Sequence, residues 1–253
     1  MKRMAFAALL VGFVAGSAVA QVPAAGAAGQ WYTATTYTVK PGMMDEFREL
    51  VIKELNPAAR TGGLKQVAVW RYATGGGERV LRIVLHESLA DRDGPSAVQK
   101  GISAEAYRAF LKKRATLIAS TETYIGRTRP DMADNPAGSP APKLAERYTV
   151  RIAQGRNADY VKYVQTIIEA SKKTGHRRTT GERVFGADAG TFVSNTYYES
   201  YADLAKGRPH TRTMSPAAID ALNKSAQGLI TVISRDVMVY DAAMSVAAPP
   251  TPR

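Results

Sequence analysis

Cysteine is absent from the 253-residue sequence, and histidine occurs only three times. Without cysteine, the chain can form no disulfide, thiolate nucleophile, iron–sulfur cluster or cysteine-ligated zinc site. The three histidines, His86, His176 and His210, are 90 and 34 residues apart, and none belongs to a zinc-binding motif of the His-Glu-x-x-His type. We therefore predict no metal site.

Long apolar runs are scarce as well. The run near the N-terminus, Ala5–Ala18, is shorter than the roughly 20 residues that a membrane-spanning helix needs. Basic residues precede this run and the small residues Ala18–Ala20 follow it, which is the order of a secretory signal peptide cleaved after Ala20. We expect an exported protein, periplasmic or secreted, that does not span the membrane.

Acidic residues are outnumbered by basic ones, 22 to 34, which gives a formal charge of +12 that falls to +10 when Lys2 and Arg3 are removed. This excess favours anionic partners, or it only keeps the protein soluble. Export argues against nucleic acid as the physiological partner. Two basic clusters, His176–Arg178 and Lys206–Arg212, are typical of solvated loops, although both could meet an acidic surface.

A segment that occurs twice in the sequence indicates a tandem duplication. The segment Glu87–Asp91 recurs as Glu199–Asp203, 112 residues later. Apolar positions elsewhere in the two halves align at the same offset or at 113 residues. Because the agreement of apolar positions extends along most of each half, we predict that one structural unit is repeated in tandem.

Within each half, strand and helix periodicities alternate in the order βαββαβ. The predicted strands cover residues 32–40, 67–72, 79–87 and 121–127 in the first half, and 147–153, 177–185, 191–199 and 230–240 in the second. The predicted organisation is a signal peptide (1–20), a flexible N-terminus (21–30), a first repeat (31–130), a Pro/Gly/Ala linker (131–144), a second repeat (145–242) and a disordered tail (243–253).

A βαββαβ unit forms a four-stranded antiparallel sheet with both helices on one face, and its other face is bare. Two units in one chain can pack their bare faces together around a shared interior. We therefore predict an α+β fold in which two tandem ferredoxin-like βαββαβ repeats pack as a pseudo-dimeric α/β barrel. Such a chain acts as its own dimer and should be a monomer.

One stretch resembles a known family. Tyr37–Gly42 and the following Met43–Phe47 are similar to the first strand, turn and helix start of NIPSNAP-like proteins, with a faint echo at Ile152–Gly155. That family belongs to the dimeric α/β-barrel superfamily, together with the antibiotic-biosynthesis-type monooxygenases. The superfamily includes cofactor-free oxygenases, haem-handling enzymes, isomerases and non-catalytic members. The resemblance therefore implies the fold but does not select one reaction.

The barrel interior is the natural place for a ligand. In the third strand, the more apolar set of Leu81, Ile83 and Leu85 is expected to face the helices. The alternate set, with its counterparts in the seventh strand, would then line the interior: Val80, Arg82, Val84, His86, Phe192, Ser194, Thr196 and Tyr198. From the two first strands we expect Thr36, Thr38, Thr149 and Arg151 inside. A slip of one residue would reverse the assignment.

His86 and Tyr198 align in the two halves and are the candidate catalytic residues. His86 could transfer protons or ligate a haem, or it could be a hydrogen-bonded residue at the barrel rim. Arg82 could bind an anionic group or form a structural salt bridge. The other candidate ligand-binding residues are Ser194, Arg151 and Thr38, and haem is the candidate cofactor.

Two functions are compatible with these patterns. The first is an exported protein that binds a small anionic or aromatic compound and has oxygenase-like activity. The alternative is a non-catalytic periplasmic scaffold whose basic loops dock an acidic envelope partner. Polar groups converging in a cavity would favour the first function, and an interior filled by large apolar side chains would favour the second.

Overall fold

The computed structural model describes residues 29–135 and 142–246, so the expected signal peptide lies outside the described residues. The strands are β1 (Trp31–Val39), β2 (Val67–Tyr72), β3 (Glu78–His86), β4 (Ile118–Thr128), β5 (Leu144–Ile152), β6 (Arg178–Phe185), β7 (Thr191–Tyr198) and β8 (Ile230–Tyr240). The helices are α1 (Met44–Leu50), α2 (Asn56–Thr61), α3 (Ala97–Gly101), α4 (Ala104–Leu117), α5 (Asn157–Lys172), α6 (Tyr201–Ala205) and α7 (Pro216–Ala226).

The eight strands form one closed antiparallel barrel in the order β1-β3-β2-β8-β5-β7-β6-β4. Four strands come from each half of the chain, and the two groups join where β2 pairs with β8 and where β4 pairs with β6. Closure leaves no unpaired sheet edge. The prediction of an α+β fold with a closed barrel is confirmed.

The helices pack on the outer face of the barrel and build two separate cores. In the first half, Phe47 and Leu50 of α1 and Phe110 of α4 pack against Val39 and Val80 of the sheet. In the second half, Tyr160, Val164 and Ile168 of α5 pack against Val150 and Phe192. Among the helices within the described ranges, none is long and apolar enough to cross a membrane.

The barrel interior is a third core, and it is filled by large side chains. Its buried members come from both halves: Tyr32, Ala34, Trp70, Leu81, Tyr124, Ala145, Val193 and Met238. The Trp70 ring stacks on Tyr197 at a centroid distance of 5.9 Å and meets Tyr240 edge-on at 5.2 Å. Arg147 is also buried and donates a hydrogen bond of 2.7 Å to the Tyr124 hydroxyl.

The predicted facing of β3 and β7 is wrong. Leu81, Ile83 and Leu85 belong to the interior core, whereas Val80 and Val84 pack against the helices. The register explains this, because β1 places Ala34 directly opposite Ile83, and directly opposite residues of paired strands share a face. The same reversal applies to β7, where Phe192 lies against α5.

Two predicted boundaries need correction. Part of the expected linker is structured, since Met132 is buried in the second-half core. Part of the expected disordered tail is structured too, because Met244 and Val246 are buried in the first-half core and Val246 pairs with Val67. The sequence analysis predicts neither α3 nor α6, since five residues are too few to show helical periodicity.

Candidate functional site

The barrel carries two clefts on its outer, helix-facing side, one in each half of the chain. The first cleft has a volume of about 570 Å³ and lies between the outer face of β3, the end of α2 and the segment around α3. Its walls include apolar residues, Ala59, Leu64, Val84, Pro95 and Val98, and polar residues, Thr33, Lys65, Arg82, His86, Asp91, Arg92 and Lys100.

One wall of the first cleft is formed by the close packing of α2 on α3. A Cβ added at Gly62 would lie 1.7 Å from the Ala97 carbonyl oxygen, and one added at Gly101 would lie 1.8 Å from that of Ala58. Only glycine therefore permits this approach. A π-helical turn, Val51–Leu55, joins α1 to α2 and brings α2 to this position.

Arg82 projects from β3 into the first cleft, and its charge has no acidic partner. Among the described residues, no carboxylate lies within ion-pair distance of Arg82, and its solvent-shielded Nε has no hydrogen-bond acceptor. Burial lowers the pKa of Arg82 from its ordinary value. The residue is half-buried, and a shielded donor without an acceptor is costly, so this group is suited to receive an anion.

His86 lies on the same strand and lines the same cleft. Its Nε2 is 2.8 Å from the Thr33 hydroxyl oxygen, which accepts a hydrogen bond of 2.5 Å from Arg92. Arginine can only donate, so the hydroxyl proton of Thr33 remains available for His86. Burial and the nearby Arg92 lower the pKa of His86, which keeps the imidazole neutral at pH 7 and able to accept a proton.

The predicted haem site does not fit these residues. The Nε2 atom of His86 is engaged by Thr33 and lies close to a cationic guanidinium, so this nitrogen is not presented to the cleft as an iron ligand. In the part of the chain that the structure describes, no cluster of three or more acidic or histidine side chains could hold a metal ion either.

The second cleft is much smaller, at about 110 Å³, and lies on the outer face of β5 and β7 beneath α5. Ser194, Arg178, Glu146 and His210 are among its lining residues. Tyr198 is adjacent, because its hydroxyl donates a hydrogen bond of 3.2 Å to Glu146. Arg178 was predicted to lie in a solvated loop cluster, but its Nε is shielded from solvent.

The candidate site residues are therefore divided between different places. Arg82 and His86 meet in the first cleft, as part of one site. Ser194 and Tyr198 belong to the second, and three strands separate β7 from β3 in the barrel order. His86 and Tyr198 consequently cannot act on one ligand.

Thr38 and Arg151 lie apart from both clefts. Thr38 is opposite Arg79 near the end of β1, and Arg151 forms an exposed ion pair with Asp188. Sequence reasoning also missed two residues of the first cleft, Thr33 and Arg92. The alternation of β1 offered a signal for Thr33, which shares the helix-facing side with Tyr37, but Arg92 ends a four-residue 3-10 helical turn, which is too short to show periodicity.

Comparisons with known proteins relate the chain to solved structures through its fold. No protein-family model matches it, and no curated protein matches its sequence. A candidate monooxygenase from Lactobacillus acidophilus covers 87% of this chain and 97% of its own, with a TM-score of 0.57 and 10% identity. A mutant chlorite dismutase from Candidatus Nitrospira defluvii covers 87% and 94%, with a TM-score of 0.54 and 11% identity.

A heme-binding protein from Thermus thermophilus covers 85% of this chain and 92% of its own, with a TM-score of 0.51 and 12% identity. Identities this low carry information about the fold and not about the reaction. The resemblance to NIPSNAP-like proteins stays a prediction. The chain has the fold of the dimeric α/β-barrel proteins.

Proposed function

We propose that this protein binds a small organic anion with an aromatic or conjugated body in the first cleft and acts on it in an oxygenase-like manner. The observation that carries the proposal is the half-buried Arg82 side chain, which lines the cleft without an acidic partner and whose solvent-shielded Nε has no acceptor. The cleft volume of about 570 Å³ lies within the range of roughly 300–1,000 Å³ that is usual for sites of small organic ligands.

The residues of the first cleft suit distinct roles. Arg82 would bind a carboxylate or similar group through its planar guanidinium, which matches two oxygens at once. His86 is neutral at pH 7 and would accept a proton from the ligand through the Thr33 hydroxyl, which hydrogen-bonds its Nε2. The anion formed would be stabilised by the positive charges of Arg82 and Arg92, and its reaction with dioxygen would be the oxygenase-like step.

We also propose that the protein is exported and that its two halves arose by duplication. The signal-peptide pattern supports export. The barrel order supports duplication, because the first half contributes the strands in the order β4-β1-β3-β2 and the second in the corresponding order β8-β5-β7-β6. Ser88 and Ser200, at matched positions of the repeated pentapeptide, each accept a hydrogen bond at the start of a helical turn.

The scaffold function has weaker support. The filled barrel interior favours it, since no ligand space remains there. However, the basic loops that would dock an acidic partner are engaged within the chain: His176 and Arg212 both pair with Asp203, at 2.7 Å and 2.9 Å. Arg208 rests on the Tyr148 ring at 4.9 Å.

A fluorescence titration with 8-anilinonaphthalene-1-sulfonate, an aromatic anion, tests the proposal. We expect saturable binding with one site per chain. The Arg82→Met variant should bind at least about tenfold more weakly, because a charge-assisted contact is lost. His86→Phe should retain binding, since the imidazole is assigned to proton transfer.

The matched control is Arg178→Met, the same substitution in the second cleft, which should leave the affinity for the probe unchanged. Equal affinity in the parent protein and in Arg82→Met would overturn the proposed role of the first cleft.

A further inference from the structure

The second cleft combines a buried floor with an exposed mouth. Glu146 and Ser194 are buried at the floor, where the solvent-shielded Nε of Arg178 also lies. Arg208 and Val232 are exposed at the mouth. A solute can therefore enter from one side and reach polar groups that water reaches poorly.

The acidic residue of the second cleft is already satisfied. Glu146, whose side chain is 2% exposed, forms an ion pair of 2.6 Å with Arg235. Its oxygens also accept hydrogen bonds from Tyr148, at 3.1 Å, and Tyr198, at 3.2 Å. The carboxylate thus has a counter-ion and two further donors, and it needs no other cation.

Two more arginines face the second cleft without a carboxylate partner. The Nε of Arg178 has no acceptor among the described residues, and its Nη1 reaches only the Thr196 hydroxyl, at 3.4 Å. Arg208 donates to the Tyr148 hydroxyl and forms no ion pair within the described ranges. Because Arg235 offsets Glu146, the cleft holds an excess of two positive charges.

The size of the second cleft limits what can neutralise that excess. Its volume of about 110 Å³ is about a fifth of the volume of the first cleft. An aromatic ligand does not fit, whereas a single oxyanion does. Serine and threonine hydroxyls, from Ser194 and Thr196, supply additional donors, and His210 is neutral at pH 7 because burial lowers its pKa to about 4.

We propose that the second cleft is a binding site for a small oxyanion of the size of phosphate, with Arg178 at its floor and Arg208 at its mouth. The site is separate from the first cleft. Oxyanion binding in the second cleft requires no ligand or reaction in the first cleft.

Calorimetric titration with inorganic phosphate, at an ionic strength held constant with sodium chloride, tests this site. We expect one phosphate per chain. The Arg178→Met variant should bind at least about tenfold more weakly, since it loses a charge-assisted contact. Without phosphate, its Tm should be unchanged or higher, because no carboxylate loses its partner.

The matched control is Lys173→Met, which removes one positive charge from the exposed end of α5 and should leave the phosphate affinity unchanged. Methyl phosphate, a small ester without an aromatic ring, distinguishes the sources of the anion: binding that depends on Arg178 would assign the site to a phosphate ester, and its absence would assign it to the free ion. No saturable phosphate binding, or equal affinity in Arg178→Met, would overturn the proposal.

Discussion

At the scale of single residues, the arginines of the two clefts differ in what surrounds them. Arg82 and Arg178 are half-buried, and each has a shielded Nε and no acidic partner, whereas Arg235 neutralises a buried glutamate. Removing a buried charge that has no partner eliminates a desolvation cost, but removing one member of a pair leaves the other buried and uncompensated.

We therefore expect opposite effects of one substitution at two positions. Arg82→Met should leave the free energy of unfolding unchanged or raise it. Arg235→Met should lower it by about 3 kcal/mol, because the Glu146 side chain is only 2% exposed. Urea unfolding of both variants measures the two values, and a large loss of stability in Arg82→Met would show that Arg82 is a structural residue.

His210 should make stability depend on pH. Its folded pKa is about 4, lowered by burial and by Arg178 and Arg208, from an unfolded value of 6.5. Since the unfolded chain binds the proton first as pH falls below 6.5, stability should decrease between pH 6.5 and about 4.

Allowing for solvent screening, we expect His210 to contribute roughly 1–2 kcal/mol to the loss between pH 7 and pH 5. Urea unfolding at both pH values should show a smaller loss for His210→Leu than for the parent protein. An identical loss in the variant would mean that His210 is protonated normally in the folded state.

At the scale of elements, the sequence predicts where strands start and end better than it predicts which side of a strand faces the helices. The second strand is predicted to cover residues 67–72 and the last strand residues 230–240, both as observed. The facing of β3 was predicted wrongly because both of its sides are covered, one by helices and the other by the barrel interior, so the more apolar side does not identify the helix-facing side. Alternation can assign a side only when one face is polar.

Because the facing of β3 was predicted wrongly, the predicted site was placed in the barrel interior and not in the first cleft. Arg82 and His86 were predicted to lie together on the interior side of β3, but their shared side faces the helices. The position of the cleft depends on the packing of α2 against α3, and α3 is too short to be predicted from periodicity. That Arg82 and His86 lie on the same side of β3 could be predicted from the sequence. Which elements surround that side could not.

The packing of α2 on α3 can be tested by two alanine substitutions in the same wall. Gly101→Ala should destabilise the protein by about 1–3 kcal/mol, because the new methyl group would collide with the Ala58 carbonyl. It should also weaken binding of the aromatic probe. Gly94→Ala is the control, since nothing lies within 4 Å of its added Cβ, and equal stability of the two variants would contradict this packing.

At the scale of the whole molecule, the closed barrel brings both four-strand groups together in one chain. Single-sheet proteins of this architecture need a partner chain to cover the bare sheet face, and here the chain supplies both faces. We expect a monomer at micromolar concentration. Light scattering measures the molar mass of the protein in solution directly. An obligate dimer would show that closing the barrel within one chain does not remove the need for a partner chain.

Native mass spectrometry of protein purified from its own cells tests the central claim most directly. The parent protein should carry a small organic anion that is absent from Arg82→Met and retained in Arg178→Met. A ligand retained equally in Arg82→Met, or a bound haem, would contradict the assignment of the first cleft as a site for an organic anion.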